Sequence, residues 1–519
     1  MMPAPSFSLP ASMLELVDGL MSIEDTKTLS AIRPKGLAID SRQVQTGDVF
    51  FALSGSKTSG TQFIVEAIHA GAVACVTAQA PDDVARQIAD QKQIPLLNDP
   101  LLQEHLGQIA ARFYAEPSQA LTIIGITGTD GKTSLSHFIA QALHRPQHQV
   151  ASRCGIIGTV GYGTYGELTD ASHTTPDAIR LQRLLAQFRD AGVQNVAMEV
   201  SSHGLDQGRV NGIVFDIAVL TNLGRDHLDY HKDLQHYKQA KQRLFAMPGL
   251  QSAVLNWHDE FAQELLRQHR SDYPITVFAL DDIEIIENSQ VADWVVGLDL
   301  QLHARGLKMH VATPDSEFQI QCNLLGKFNA LNVLAAIAVL RRLAWRQVDI
   351  VDAIAALQSV EGRMQLRHDD NSAAVVIDYA HTPQALEAAL TNLRLHCNGK
   401  LICVFGCGGD RDRGKRPQMG AIAAALADRV SVTNDNPRFE APEQIIDDIL
   451  HGMPDHDHVT VIYDRESAID SALNEARQDD LVLIAGKGHE PYQLIGAKKI
   501  PFKDRLVVDR VLERLRQAQ

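Results

Sequence analysis

No Lys or Arg precedes Lys27, and no apolar run is long enough to cross a bilayer. The first absence removes the positively charged start of a secretory leader, so none is expected. The second leaves no membrane span to expect. Basic residues are short overall, with 48 Lys and Arg against 63 Asp and Glu and a net charge of −15. Such a surface repels phosphate backbones, which excludes general nucleic-acid binding; an anionic substrate would need a local basic cluster. Cysteine is sparse. Cys75, Cys154, Cys322, Cys397, Cys403 and Cys407 show no paired metal-site spacing and read as reduced thiols of a cytosolic protein.

What is there is 519 residues, too many for one core, with about two to four domains expected. A hydrophobic fraction of 45% with alternating strand and helix patterns fits the α/β class. The organising stretch is Leu121–Ser134, LTIIGITGTDGKTS. A β-branched apolar run, Leu121 to Ile126, breaks into a Gly/Thr turn and ends in Lys132-Thr133-Ser134. Leu135, Phe138, Ile139 and Leu143 follow at helical spacing. That order is strand, Gly-rich loop and helix start. Loop N–H groups and the positive end of the helix dipole then make an anion cradle, with Lys132 reaching the outer phosphates of a nucleotide and Thr133 holding magnesium. The spacing departs from the usual phosphate loop: its first Gly falls on Gly125, and position 126 is Ile126. A plain Gly-rich turn is the competing reading.

Many of the expected strands share one habit: each ends in polar residues. Residues 47–53 and 72–76 read as strands of a small N-terminal α/β unit, and the loop Ser56-Lys57-Thr58 has the side chains a phosphate-bearing ligand needs. Strands at 195–200, 215–222 and 252–256 run into Ser201, into Gly224-Arg225-Asp226-His227 and on to Asp259. Ligands of open parallel sheets bind beyond the carboxyl ends of strands, so Glu199, Asn222, His227 and Asn256 are expected beside the Gly-rich loop. The last portion repeats the habit at 373–378, 401–405, 430–433 and 481–485, which implies a second doubly wound sheet with its own site. A dinucleotide fingerprint at Gly406-Gly408-Gly409 is rejected, because Arg411 holds the position of its third Gly. Asp226, His227, Asp229 and His231 offer a competing zinc reading, with the two His four apart as suits one helical face; it is set aside, because no Glu-x-x-His general-base pattern accompanies it and the Gly-rich loop explains the ion better. The run Thr174-Thr175-Pro176-Asp177 also reads as a plain helix cap, with Asp177 in the first turn.

Taken together, Thr127–Thr133, Met198–Gly204, Asp226–His231, Asp378–Pro383, Asp435–Arg438 and Gly486–Glu490 resemble the Mur ligase family over nearly the whole chain after Met13. The resemblance implies three α/β domains. These are a small N-terminal UDP-sugar-binding domain (1–113), a central parallel-sheet ATPase domain of the phosphate-loop type (114–359) and a C-terminal Rossmann-like, doubly wound, amino-acid-binding domain (360–519). It implies a monomeric cytoplasmic enzyme that uses ATP and Mg2+ to join meso-diaminopimelate to UDP-N-acetylmuramoyl-L-alanyl-D-glutamate for peptidoglycan. A lysine-adding sister ligase and a folylpolyglutamate-synthetase-like ligase are the alternatives.

By the same resemblance Gly128, Thr129, Asp130, Gly131, Lys132, Thr133 and Ser134 cradle the phosphates, while Asn329, Arg363 and Asp378 contact the ATP base and ribose. Thr133, Glu199, His227 and Lys241 hold the metal, with Lys241 as a carbamate; Lys132, Glu199, His227 and Lys241 form the catalytic set. From sequence alone, Lys241 is a solvated cation of a Lys/Gln-rich helix. Ser41, Ser56, Lys57, Thr58, Thr174, Thr175, Ser201, Gln207 and Arg209 match contacts to the nucleotide sugar and its peptide. Arg411, Asp435, Asn436, Pro437, Arg438, Gly486 and Glu490 match contacts to diaminopimelate. Two departures stand out: Asp130 where Asn is usual, and Gln365 where Glu commonly follows Gly362-Arg363-Met364.

Overall fold

The computed structural model describes residues 12–23, 25–55, 59–144, 153–269, 271–289, 291–368, 372–453 and 457–517. The loop Ser56-Lys57-Thr58 lies outside them. The chain divides into two compact units, Met1–Thr276 and Val277–Gln519.

The first unit starts with four parallel strands in the order β1-β2-β3-β4: β1 (Gly36–Ala38), β2 (Asp48–Ala52), β3 (Ala74–Thr77) and β4 (Leu96–Asn98). Val49-Phe50-Phe51-Ala52 is buried throughout, as a strand covered on both faces must be. Alternation sends Val49 and Phe51 into one core with Leu106 and Ile109 of the helix Leu102–Phe113, and Phe50 into another with Ile64 and Ala67 of the helix Ile64–Ala70.

The larger sheet of this unit holds β5 (Thr122–Thr127), β6 (Cys154–Ile157), β7 (Tyr162–Thr164), β8 (Glu167–Thr169), β9 (Asn195–Glu199), β10 (Ile217–Leu220) and β11 (Ser252–Asn256). Their order is β11-β10-β5-β9-β6-β7-β8. The first five in that order run parallel, and β7 and β8 add antiparallel edges. Register decides what surrounds the Gly-rich loop. Ile126 of β5 pairs with Glu199 of β9, and Thr127 pairs with Leu220 of β10. The polar tips that follow both neighbours therefore flank the loop.

β12 (Ile275–Leu280) contains the boundary between the units. The second unit opens with an antiparallel meander of β13 (Asp293–His303), β14 (Gly306–Thr313) and β15 (Ser316–Cys322), followed by the buried helix Lys327–Arg342. Its second sheet has the order β16-β17-β21-β18-β19-β20. The strands are β16 (Gln365–Arg367), β17 (Ala374–Asp378), β18 (Leu401–Phe405), β19 (Arg429–Val432), β20 (Val459–Val461) and β21 (Leu481–Ala485). All are parallel except β16. Helices cover both faces, with Leu386, Met419 and Ile445 on one and Ile469 and Val508 on the other. A hairpin of β22 (Tyr492–Ile495) and β23 (Lys498–Pro501) follows. Below the strand tips Arg465 and Asp504, both fully buried, form a two-pronged ion pair at 2.7 and 2.8 Å. Such a pair fixes geometry more surely than it adds stability.

Candidate active site

The loop after β5 is shaped by Gly128. Its φ is +148°, and a Cβ there would sit 1.9 Å from Thr221 Oγ1. Only glycine lets the loop pass that close to the tip of β10. Thr129 N–H donates to the Asn222 carbonyl at 2.9 Å and Asp130 N–H to Asn222 Oδ1 at 3.0 Å, so the β10 tip holds the loop open. The helix Lys132–Leu143 starts directly afterwards. Loop and helix N-terminus together present backbone N–H groups to an anion.

Four side chains converge here. Lys132 Nζ donates to the carbonyls of Gly128 and Thr129, each at 2.8 Å. Lys241 Nζ reaches the same Gly128 carbonyl at 2.7 Å from the helix Leu234–Phe245. Thr133 Oγ1 donates to Glu199 Oε2 at 2.9 Å. Lys241 is 1% exposed and Glu199 fully buried. Burial, then the neighbouring Lys132 cation, drives the Lys241 ammonium well below its ordinary pKa, against the pull of Asp226 and Asp130. Burial lowers Lys132 as well, with Glu199 opposing. Burial raises Glu199, against the Thr159 N–H, Lys132 and Thr133.

Sequence reasoning missed Thr159. Its N–H donates to Glu199 Oε1 at 2.9 Å and its hydroxyl to Oε2 at 3.1 Å. The same hydroxyl lies 3.0 Å from Thr174 Oγ1. Thr159 sits just past the end of β6, so the polar-tip habit was the signal that could have found it. Asn256 is one step removed from the loop, donating to the Thr221 carbonyl at 2.8 Å.

His227 lies beside Tyr237, with ring centroids 6.3 Å apart, and the Tyr237 hydroxyl is 3.1 Å from Thr129 Oγ1 of the loop. His227 takes a left-handed backbone, φ +54°, and its ring faces Asp226 at 3.4 Å and His203 edge-on. The expectation of His227 and His231 on one helical face fails, because His227 precedes the one-turn helix Leu228–His231 instead of lying within it. His231 is buried against Ser202 at 2.9 Å. The Asp229 side chain lies outside the described part. Among the described residues no three His, Cys, Asp or Glu side chains gather as a metal cage.

The residues matched to sugar and peptide contacts meet in part. Thr175 Oγ1 donates to the Glu199 carbonyl and accepts from Ser201 N–H. Arg209 donates to the Thr175 carbonyl at 2.7 Å and to Gln207 Oε1 at 2.9 Å. Thr174, Thr175, Ser201, Gln207 and Arg209 therefore form one hydrogen-bonded wall. Asp177 is the N-cap itself, accepting from Arg180 N–H at 2.9 Å, and not a first-turn residue. Ser41 stands apart from that wall, with its hydroxyl donated to Glu66 at 2.7 Å.

In the second unit Asn329 is buried, and its amide is engaged by Leu325 and Asn332. Asp378 accepts the N–H groups of Met364 (2.7 Å) and Ala380 (2.9 Å). Burial raises its pKa against those bonds and Arg363. The Arg363 guanidinium lies 5.2 Å over the Tyr379 ring. Gln365 Oε1 accepts from Gly362 N–H at 3.2 Å, a task a neutral amide performs as well as a carboxylate.

The turn after β19 carries Asp435 and Asn436, both buried, then Pro437 and Arg438. Arg438 is half-buried with φ +52°. The β22 hairpin holds it there: Arg438 N–H donates to Leu494 O at 2.9 Å and Gly496 N–H to Arg438 O at 2.6 Å. One guanidinium nitrogen, Nη1, donates to Gly409 O at 2.7 Å. A Cβ on Gly408 would lie 2.8 Å from that nitrogen and 3.8 Å from Arg411 Cγ, so Gly408 leaves the gap between the two arginines. Asn436 Nδ2 donates to Glu490 Oε2 at 2.8 Å, and Gly486 approaches Asp435 so closely that a Cβ would be 2.7 Å from its carboxylate. A carboxylate pair beside an arginine suits a zwitterionic ligand.

Three family profiles match the chain. The Mur ligase middle domain covers residues 126–340, the Mur ligase, glutamate ligase domain covers 362–488, and the Mur ligase family, catalytic domain covers 33–114. The chain is 47% identical over 481 residues to UDP-N-acetylmuramoyl-L-alanyl-D-glutamate–2,6-diaminopimelate ligase of Alkalilimnicola ehrlichii, spanning 92% of this chain and 94% of that protein. It is 45% identical to the Coxiella burnetii protein of the same name, over 91% and 94% of the two chains. A solved structure bearing that name matches with a TM-score of 0.76 and 34% identity, covering 98% of this chain and 99% of the other.

Proposed function

The chain belongs to the Mur ligase family, and on that premise we propose that it is an ATP-dependent ligase joining meso-diaminopimelate to UDP-N-acetylmuramoyl-L-alanyl-D-glutamate, releasing ADP and phosphate, in peptidoglycan precursor synthesis. The observation that carries this is the gathering of Lys132, Thr133, Glu199 and Lys241 at the loop after β5. In the reaction the substrate carboxylate attacks the γ-phosphorus, ADP leaves, and the acyl phosphate loses phosphate to the incoming amine. Phosphoryl transfer of this kind is positioning and charge neutralisation. Gly128 to Ser134 cradle the phosphates, with the Lys132 cation on the transferring group. Thr174, Thr175, Ser201, Gln207 and Arg209 orient the peptide, and Ser41 and Ser56-Lys57-Thr58 the nucleotide sugar. Asn329, Arg363 and Asp378 take the ATP base and ribose. Three domains, 1–113, 114–359 and 360–519, divide these tasks, a reading supported by the three matched ranges.

Thr133 and Glu199 offer hard oxygen donors within 2.9 Å of each other, which fits Mg2+. The ion would neutralise phosphate charge when bound, and His227 is assigned to it as well. Lys241 would add a third oxygen donor as a carbamate. Its depressed pKa supplies the neutral amine that must attack carbon dioxide, forming an N–C bond and releasing a proton. Enzyme equilibrated with 13C-bicarbonate should then show one carbamate carbon resonance that Lys241→Arg abolishes. An identical spectrum for both proteins would remove the carbamate. We place the enzyme in the cytoplasm, which its free cysteines support. Among the described residues no helix is long and apolar enough to cross a membrane.

The test is ADP release. It should require both the UDP-muramoyl dipeptide and meso-diaminopimelate, with the tripeptide product formed one for one. ADP release that ignores either substrate would overturn the ligase reading.

A further inference from the structure

Lys487 is fully buried, yet within the Gly486–Glu490 motif only Gly486 and Glu490 are assigned a role. The chain aims it inward because Gly486 and Gly488 on either side take left-handed backbone, φ +115° and +55°. Its Nζ donates to Glu490 Oε2 at 2.9 Å and to Asn436 Oδ1 at 3.1 Å. Asn436 Nδ2 closes the triangle on the same Glu490 oxygen at 2.8 Å. Leu494 N–H also donates to Asn436 Oδ1, at 2.9 Å. Two donors on that oxygen fix which way the amide faces. One Asn436 N–H and the second Glu490 oxygen are then left for a ligand, and Glu490 remains partly exposed.

We propose that Lys487 is a positioning residue for acceptor recognition, aligning Asn436 and Glu490 so that they meet one amino-acid end of the acceptor, carboxylate and ammonium together. This rests on the acceptor site assigned above. Charge supports the geometry. Burial pushes the Glu490 carboxyl up, but hydrogen bonds from Lys487 and Asn436 outweigh it and hold it below its usual range. Burial raises Asp435, and Glu490's charge adds to that while Arg465 and Lys487 oppose it. His489, Arg465 and Tyr379 are the other titratable groups that feel Glu490. Lys487 is a cation bonded directly to Glu490 and Asn436 and also opposes the charge of Asp435, so without it the two carboxylates compete.

Steady-state kinetics on the whole enzyme test this. Lys487→Met should raise the KM for diaminopimelate on the order of 10- to 100-fold, the loss of a hydrogen bond to a charged group, with the KM for ATP unchanged. The acid limb of kcat/KM for the acceptor should move to higher pH, because Glu490 without its cation protonates sooner. Removing the carboxylate charge as well gives a variant with no unpaired buried charge. Lys487→Met with Glu490→Gln should therefore be no worse than Glu490→Gln alone, and this second protein keeps the test open if the single variant folds poorly. Equal losses for ATP and acceptor, or strictly additive effects in the double variant, would reduce Lys487 to a packing residue. Wild-type enzyme that ignores diaminopimelate would instead overturn the acceptor site, and this inference with it.

Discussion

Lys132→Ala is expected to lower turnover by roughly 10²- to 10³-fold, the cost of removing one preorganised charge from a transition state. The side chain is already in place: its ammonium is tied to the Gly128 and Thr129 carbonyls at the base of the loop. A cation held before the nucleotide arrives loses little freedom when the phosphoryl group moves. The loop itself should survive the change, because Gly128, Thr221 and Asn222 also set its path and remain in place. The loss should therefore appear in kcat, with the thermal midpoint nearly unmoved. Rapid-quench measurement of ADP formation, at saturating acceptor, separates this step from product release. Turnover within a few-fold of wild type would remove Lys132 from the chemistry and reopen the plain-turn reading of the loop.

The sequence signals for this site were of unequal quality. Strand, loop and helix around Lys132 were legible to within one residue, since a β-branched run, three glycines and a helical stripe all change period there. Four of the five parallel strands of the second unit, β17, β18, β19 and β21, were legible for the same reason, and the three-residue β20 was not. Its antiparallel meander, residues 293–322, was not: β13 and β15 alternate buried and exposed positions over long stretches, a weaker signal than an apolar run. Lys241 is the instructive case. Read by composition, it belongs to a solvated helix. Read by position, it falls with Tyr237, Ala240, Leu244 and Phe245 on the one stripe that is buried. A lysine inside an apolar stripe was the available warning of a perturbed pKa. Thr159 and Lys487 act through contacts distant in sequence, with Glu199 and Asn436, and register alone cannot supply those.

Selectivity for the acceptor is expected to rest on Arg438. Diaminopimelate and lysine differ by one carboxylate at the far end, so that group must be recognised for the two to be told apart. Arg438 is held in a left-handed backbone conformation that costs energy for a non-glycine residue, and two backbone hydrogen bonds to the β22 hairpin keep it there. Pro437 fixes the preceding φ. Among the described residues Nη1 alone is spent within the protein, on Gly409, which leaves a fork of N–H donors for a carboxylate. Lysine would leave that half-buried guanidinium without its partner. The penalty amounts to several kcal/mol, on the order of 10³-fold in kcat/KM. Arg438→Ala should raise the KM for diaminopimelate roughly 10²-fold while ATP use stays unchanged, and it should narrow the preference over lysine. Arg438→Lys keeps the charge but not the paired geometry, so it should restore only part of the loss. Competition between the two amino acids in one reaction, read by mass spectrometry of the products, measures the preference directly. Equal ligation of L-lysine by the wild-type enzyme, or unchanged acceptor use in Arg438→Ala, would show that the distal carboxylate is read elsewhere.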